Sequence, residues 1–284
     1  MCRFLVYKGR PILMAELLTR PNHSLIKQSY AAELRSEPLN GDGFGVGWYA
    51  PEIDPQPCLF TSVTPAWSNQ NLRHLAEKVR APCFFAHVRA ASPGMRVSDV
   101  NCHPFQSGRL LWMHNGAVAG FDRIRRRLRE SLSDARYNFI QGTTDSEHVF
   151  ALFLDRLGDP QADHSAADLR RGLVETIAQL EGWVRAAGVA GPSHYNFAVS
   201  DGRSVIASRY VSDPGLRPAS LYFSAGVKFE CQQGVCRMIQ SGRHEHAVII
   251  TSEPLTDIEE DWTPVAANHL IEVTPELEVL TAAI

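Results

Sequence analysis

The apolar residues of this chain fall in short runs, each closed within a few residues by Gly, Pro, Asn or Asp. That punctuation commits it to an architecture rich in strands. Strand-length runs lie at 2–8, 43–49, 84–89, 110–114, 196–200, 205–209, 221–225, 247–251, 270–273 and 279–281. Asp201-Gly202, between two of them, is a tight hairpin signal. Helical spacing occurs in fewer places. Leu72, Leu75 and Val79 follow a capping Ser68, and Leu169, Leu173, Ile177, Leu180 and Val184 form a stripe ending near Gly188. Thr144-x-x-Glu147 reads as a capping box opening a helix through Leu157, stopped by Gly158 and Pro160. Strands interspersed with helices, some joined as hairpins, predict an α+β fold with mostly antiparallel sheets. No internal repeat and no long linker divides residues 1–284, so a single domain is expected, with the Pro-rich 51–57 as a surface loop.

Composition removes several function classes. The 284 residues are 44% hydrophobic and 21% charged, which excludes a disordered chain, a collagen-like fibre and a coiled coil. No apolar run approaches the ~20 residues that span a bilayer, and charges interrupt the N-terminal apolar stretch, unlike a signal peptide. A net charge of -3 gives no global attraction to nucleic acid or anionic membrane. The run Arg123, Arg125, Arg126, Arg127 and Arg129 surrounds Phe121, Ile124, Leu128 and Leu132 at helical spacing, as the solvated basic face of an amphipathic helix does. Six cysteines without a Cys-x-x-Cys pair predict free thiols in a reduced, cytoplasmic protein. No metal is expected, because neither His103 beside Cys102 nor the trio His244, His246 and Cys236 has a recognisable ligand frame.

The chemistry begins at Cys2. Removal of Met1 leaves one residue carrying a thiol and a free α-amine, whose reference pKa of ~8 lets it accept the thiol's proton. Nucleophile and base then sit on the same residue. A cysteine in second position is more often a plain strand residue, so the surrounding motifs decide. Asn40-Gly41-Asp42-Gly43-Phe44-Gly45-Val46-Gly47 is dense in glycine, which lets backbone approach a ligand, and it is no phosphate loop, since no Gly-Lys-Ser/Thr follows. Arg89 ends an apolar strand, suited to an ion pair or to a bidentate clamp on a carboxylate. Asn115-Gly116 ends another, either as a turn or as the amide and backbone donors of an oxyanion hole. Asp145 opens a helix, where an acid is favoured by the helix dipole and can also hold an ammonium group.

Met1-Cys2-Arg3, Asn40-Gly41-Asp42-Gly43, His87-Val88-Arg89, Asn101-Cys102-His103-Pro104-Phe105, His114-Asn115-Gly116 and Thr143-Thr144-Asp145-Ser146-Glu147 occur in an order that resembles the class II glutamine amidotransferases. The stretches 18–21, 64–72 and 138–142 resemble the fungal amidotransferase-like subunit of a glutathione-degrading complex. Those at 195–199 and 251–255 are similar in style, and they also resemble the bacterial γ-glutamyl hydrolase of ergothioneine synthesis.

That resemblance implies a four-layer αββα N-terminal-nucleophile sandwich without a cofactor. It implies Cys2 as nucleophile with its α-amine as base, and Asn115 and Gly116 as the oxyanion hole. Arg89 would hold the glutamyl α-carboxylate and Asp145 the α-ammonium, with Asp42 and Ser92 also among the substrate-binding residues. Biosynthetic members follow this arginine with Trp-Ala-Thr-His, whereas here Ala90-Ala91-Ser92-Pro93 leaves only the Ser92 hydroxyl to replace the threonine. No synthase region follows, which favours hydrolysis over amide transfer. The expected substrate is therefore a γ-glutamyl peptide or thiol conjugate, with a peptidase-like partner implied by the fungal relative. A glutaminase subunit supplying ammonia to a separate synthase and a catalytically silent binding subunit stay open as alternatives.

Overall fold

The computed structural model describes residues 2–34, 39–91, 96–232, 234–240 and 247–284. Strands β1 (Arg3–Leu13), β2 (Phe44–Ala50), β3 (Asp54–Ser62) and β4 (Arg80–Val88) lie in one sheet. The second sheet begins with β5 (Phe105–Ser107), β6 (Leu110–Ala117), β7 (His194–Ser200) and β8 (Val205–Arg209). β9 (Tyr222–Gly226) returns to the first sheet, β10 (Lys228–Gln232) and β11 (Val235–Ile239) form a separate hairpin, and β12 (Ala247–Thr251) and β13 (Thr263–Pro264) complete the first sheet. β14 (His269–Val273) and β15 (Val279–Ala283) complete the second. The spatial orders are β13-β9-β12-β1-β4-β2-β3 and β15-β14-β8-β7-β6-β5, with antiparallel pairing throughout the described strands.

Period-two alternation sorts the strand side chains into layers. On β1, Phe4 and Val6 join Phe85 of β4 and Leu111 and Met113 of β6 in an apolar layer between the sheets. Leu5 and Tyr7 face the opposite way, into a core with the short helices α1 (Ala15–Leu18), α2 (Leu25–Gln28) and α3 (Gln70–Ala76). The outer face of the second sheet is covered by α4 (Phe121–Glu130), α5 (Asp134–Phe139), α6 (Asp145–Leu157) and α7 (Ala166–Ala186). There Trp112 stacks on Phe150 of α6 at 5.5 Å between centroids, and burying a ring of that size contributes roughly 1.5–3 kcal/mol. Three apolar layers between four structural ones make the αββα sandwich.

Each strand-length run becomes a strand, but some elements differ from the sequence-based expectation. The 51–57 stretch is only partly loop: Pro55 and Pro57 sit in β3, at the sheet edge, where a missing N–H costs no ladder bond on the solvent side. The cap of α3 is Asn69, whose side chain accepts from the Leu72 N–H, rather than Ser68. Thr144 caps α6 as expected, yet Glu147 does not return to it; its carboxylate takes the N–H groups of Gln141 and Gly142 at 3.0 and 2.6 Å. The complete capping box belongs to Ser165 and Asp168, at the start of α7. The expectation of free thiols fails at Cys231 and Cys236, which form a disulfide. Five residues apart, they face each other in the β10–β11 hairpin with Cα atoms 4.0 Å apart. The arginine run lies along α4, with Ile124 and Leu128 buried and Arg125, Arg126 and Arg127 exposed. Among the described residues no helix is long and apolar enough to cross a membrane.

Candidate active site

The alternation that fills the inter-sheet layer also aims the functional side chains. Cys2 continues the Phe4/Val6 face by one step past the start of β1, and Arg89 continues the Cys83/Phe85/His87 face past the end of β4. Because Arg3 pairs with Val88, Cys2 lands beside the residues that follow β4, and its Sγ–H points at the Ala90 carbonyl, 3.6 Å away. The end of β6 and the start of α6 close the other side. The result is a cavity of about 120 Å³ whose wall includes Cys2, Arg89, His103, His114, Gly116 and Asp145.

Arg89 is 3% exposed. The Asp42 carbonyl accepts from its Nη1 and the Arg96 carbonyl from its Nη2, each at 3.3 Å. Asp42 in turn donates its N–H to the Arg89 carbonyl at 3.0 Å and accepts the Ala91 N–H on its carboxylate at 2.8 Å. Asp42 therefore braces the segment carrying Arg89, with Oδ2 of its carboxylate engaged by backbone. Gly43, next to it, has φ +112°, and a Cβ there would lie 2.7 Å from the Cys102 sulfur. Ser92 lies outside the described residues, as do Met1, His244 and His246.

Asp145 accepts the Val118 N–H on Oδ2 and the Ser146 N–H on Oδ1, both at 2.8 Å. The Ser146 hydroxyl can also donate to Oδ1, at 3.3 Å, so the lone pair that can accept from a ligand ammonium wherever that hydroxyl points is the second one on Oδ2. Asn115 is fully buried on the Leu111/Met113 face, and neither its Oδ1 nor its Nδ2 has a hydrogen-bond partner among the described residues. Leaving such an amide unpaired costs roughly 1–3 kcal/mol. Its cross-strand neighbour Asn196 is equally buried, but its Nδ2 donates to the Ala219 and Ser220 carbonyls. Gly116 leaves no alternative to glycine: a Cβ would sit 1.9 Å from the His194 carbonyl oxygen.

Electrostatically the site is dry. Burial pushes the Cys2 thiol up, against the pull of Arg89 and Arg3. Burial holds the His87 imidazole down at about 3, and pushes His103 and His114 below the usual histidine range. All three are neutral at pH 7. A thiol that resists ionising needs a base close by, and neutral imidazoles keep the cationic character of the cavity concentrated in Arg89. Among the described residues no three His, Cys, Asp or Glu side chains converge to hold a metal ion.

Cys2, Arg89, Gly116 and Asp145 thus meet at one cavity. Asn115 flanks it on the same strand as Gly116, and Asp42 acts on the Arg89 segment. The sequence reading weighed His103 only as a metal ligand and as part of a motif, whereas it stacks on His87 at 4.3 Å, and it did not join Arg3 to Glu253. Glu253 Oε1 accepts from Arg3 Nε at 2.6 Å, while Arg3 Nη1 donates to the Cys2 carbonyl at 3.2 Å. Glu253 Oε2 accepts from the N–H groups of Glu33 and Leu34. An arginine adjoining Cys2 and a glutamate at the close of an apolar strand were the available signals, but their pairing needs the β1–β12 register.

A family model described as class II glutamine amidotransferases matches residues 19–275. The chain is 43% identical over 299 residues to a probable glutamine amidotransferase, DUG3, of Saccharomyces cerevisiae, an alignment spanning 99% of this chain and 84% of that one. It is 27% identical to a gamma-glutamyl-hercynylcysteine sulfoxide hydrolase of Mycobacterium tuberculosis, over 99% of this chain and 97% of the other. Among solved structures, a glutamine aminotransferase class-II domain protein from Silicibacter pomeroyi superposes with a TM-score of 0.67 at 27% identity, covering 100% of this chain and 99% of that chain.

Proposed function

The chain belongs to the class II glutamine amidotransferases, and from that premise we propose that it is an amidohydrolase that opens γ-glutamyl amide bonds through Cys2. One observation carries the reading. A zwitterion-sized cavity joins Cys2 to Arg89 and Asp145, while beside Gly116 the buried Asn115 amide has no partner in the described structure.

In this reading the mature chain begins at Cys2. Its α-amine takes the thiol proton, and the thiolate attacks the γ-carbonyl carbon. The carbonyl oxygen gains the negative charge and is met by Asn115 Nδ2–H and the Gly116 N–H, the two donors this reading assigns to the oxyanion. The α-ammonium returns its proton to the departing nitrogen as the C–N bond breaks, leaving a γ-glutamyl thioester and a free amine. Water, deprotonated by the same α-amine, attacks the thioester and releases glutamate with the thiol restored. Arg89 holds the α-carboxylate of the glutamyl group and Asp145 its α-ammonium throughout. The residues that hold the zwitterion contact only the glutamyl half, so the amine half distinguishes one substrate from another.

A γ-glutamyl peptide or thiol conjugate is the proposed substrate class. The mycobacterial relative's name, a hydrolase of a γ-glutamyl thiol derivative, supports it. The same reading keeps the cytoplasmic setting and a peptidase-like partner, both tested by co-purification from native cytosol. Glutamate release is to be measured from glutathione, from other γ-glutamyl amides and from glutamine. Release from the first two groups is expected. A preference of more than tenfold for glutamine under every condition would instead favour an ammonia-supplying glutaminase.

A further inference from the structure

Two cavities lie on either side of the Arg3–Glu253 pair. The larger, about 610 Å³, has Glu33, Glu253, Asp257 and Glu259 on its wall, but Glu253 is paired with Arg3, and Glu33 and Asp257 with His23. The smaller, at Cys2, contains a proton whose place decides what the cavity can hold. It belongs to the Ser146 hydroxyl, in the first turn of α6 and buried on the cavity wall.

That hydroxyl lies within reach of two acceptors, His114 Nδ1 at 2.9 Å and Asp145 Oδ1 at 3.3 Å, and it has one proton to give. The far side of the imidazole decides between them. His114 Nε2 lies 3.0 Å from the His194 carbonyl, and a carbonyl oxygen only accepts, so Nε2 carries the hydrogen of the ring. Burial keeps the ring neutral, and a neutral ring with its hydrogen on Nε2 presents a bare lone pair at Nδ1. Nδ1 therefore takes the Ser146 proton, at the shorter of the two contacts. Ser146 Oγ and Asp145 Oδ1 are left 3.3 Å apart with no proton between them. Among the described residues no other donor reaches Ser146 Oγ. Two neighbouring acceptors on a cavity wall call for one atom carrying several N–H donors, and an ammonium nitrogen is such an atom.

We propose that Ser146 Oγ is a second ligand of the substrate's α-ammonium, accepting one N–H while the Asp145 carboxylate accepts another. This rests on Asp145 as the ammonium site and completes it: the carboxylate supplies charge, and the hydroxyl, held as an acceptor by His114, fixes direction.

The test uses the full chain carrying Cys2→Ala, so that binding is read without turnover. It is titrated calorimetrically with glutamine and with 4-carbamoylbutanoate, the same molecule without its α-amino group. The ratio of the two affinities reads the ammonium contacts, because a damaged fold or carboxylate clamp weakens both ligands alike. Glutamine is expected to bind in the millimolar range or tighter. Adding Ser146→Ala should lower the ratio about tenfold, as loss of one hydrogen bond to a charged group does. Ser146→Cys, near in size but a weak acceptor, should do the same and serves if alanine disturbs α6. Asp145→Asn should lower the ratio at least as far. A ratio unchanged in both Ser146 variants, or equal weakening of both ligands, would overturn Ser146 as a ligand; collapse of the ratio in Asp145→Asn would show that the ammonium site still stands. A ratio unchanged in Asp145→Asn as well, or no heat at 20 mM glutamine, would remove the site together with the proposal.

Discussion

The two cavities on either side of the Arg3–Glu253 pair are built in opposite ways. At Cys2, space is scarce, about 120 Å³, and the polar groups are buried: Arg89, Asp145 and Asn115 are 3%, 6% and 0% exposed. Beyond Glu253, the space is about five times as large, and Asp257 and Glu259 are exposed. A buried group fixed by its neighbours acts at nearly full electrostatic strength and tolerates no misfit. An exposed carboxylate is screened by water and exerts little of that force. The difference teaches that a reaction site is marked by fixed, buried polar groups and not by space.

Removing the nucleophile breaks the comparison most. Cys2→Ala should lower glutamate release by about 10⁴-fold or more, as nucleophile deletions do, and leave Tm unchanged. A glutamine-analogue diazo-ketone should label the wild type at Cys2 and leave Cys83 and Cys102 untouched. Equal labelling of the Cys2→Ala protein would sink the assignment.

Next come Asn115 and Asn196, paired across β6 and β7. Asn115→Ala should cost about 10²–10³-fold in kcat with little change in Tm, because its amide serves charge that develops only in the transition state. Asn196→Ala should do the reverse, losing roughly 1–3 kcal/mol of stability when the Ala219 and Ser220 carbonyls lose their donor. Chemical denaturation run beside the kinetics separates the two; matching stability losses in both would remove Asn115 from the reaction.

Losing one charge of the zwitterion clamp should be milder. Arg89→Lys and Asp145→Asn should each lower kcat/KM by about 30- to 1,000-fold, the range for leaving a buried charge without its partner. If Asp145→Asn hydrolyses like wild type, Asp145 serves only the N–H groups of Val118 and Ser146.

The smallest effect concerns pH. Burial lowers His87 to about 3 and His148 to about 4 in the folded chain, while the unfolded chain takes up those protons near 6.5. The unfolded state therefore binds more protons between these values. The stability is fully present above pH 6.5 and is lost as pH falls toward 3. Thermal melts from pH 7 to pH 4 should show a loss of about 2 kcal/mol or more, reduced in His87→Gln. A flat profile would mean these imidazoles are protonated in the folded protein.

The sequence announced strands wherever the apolar run was continuous. It hid β3, where prolines mark an edge, and the β10–β11 hairpin, whose residues such as Lys228, Glu230 and Arg237 alternate with apolar ones on a half-exposed ribbon. It missed α5, which has no buried residue and hence no apolar stripe to read. Cys2, Arg89, Gly116 and Asp145 were legible because each stands at the end of a well-marked element. The bracing of Arg89 by Asp42 and the clasp of Glu253 on Arg3 were not, since they join segments 47 and 250 positions apart.

That clasp also acts as insulation. The Arg3 guanidinium lies between the nucleophile and a chamber walled by carboxylates, and it lowers the Cys2 thiol pKa that burial raises. At an effective dielectric constant of ~20, an uncompensated carboxylate ~10 Å away would oppose thiolate formation by about 1.7 kcal/mol, more than a pKa unit. With Glu253 neutralised at the partition, the carboxylate nearest the nucleophile does not oppose its ionisation, and an acidic chamber can share a wall with a reacting thiol.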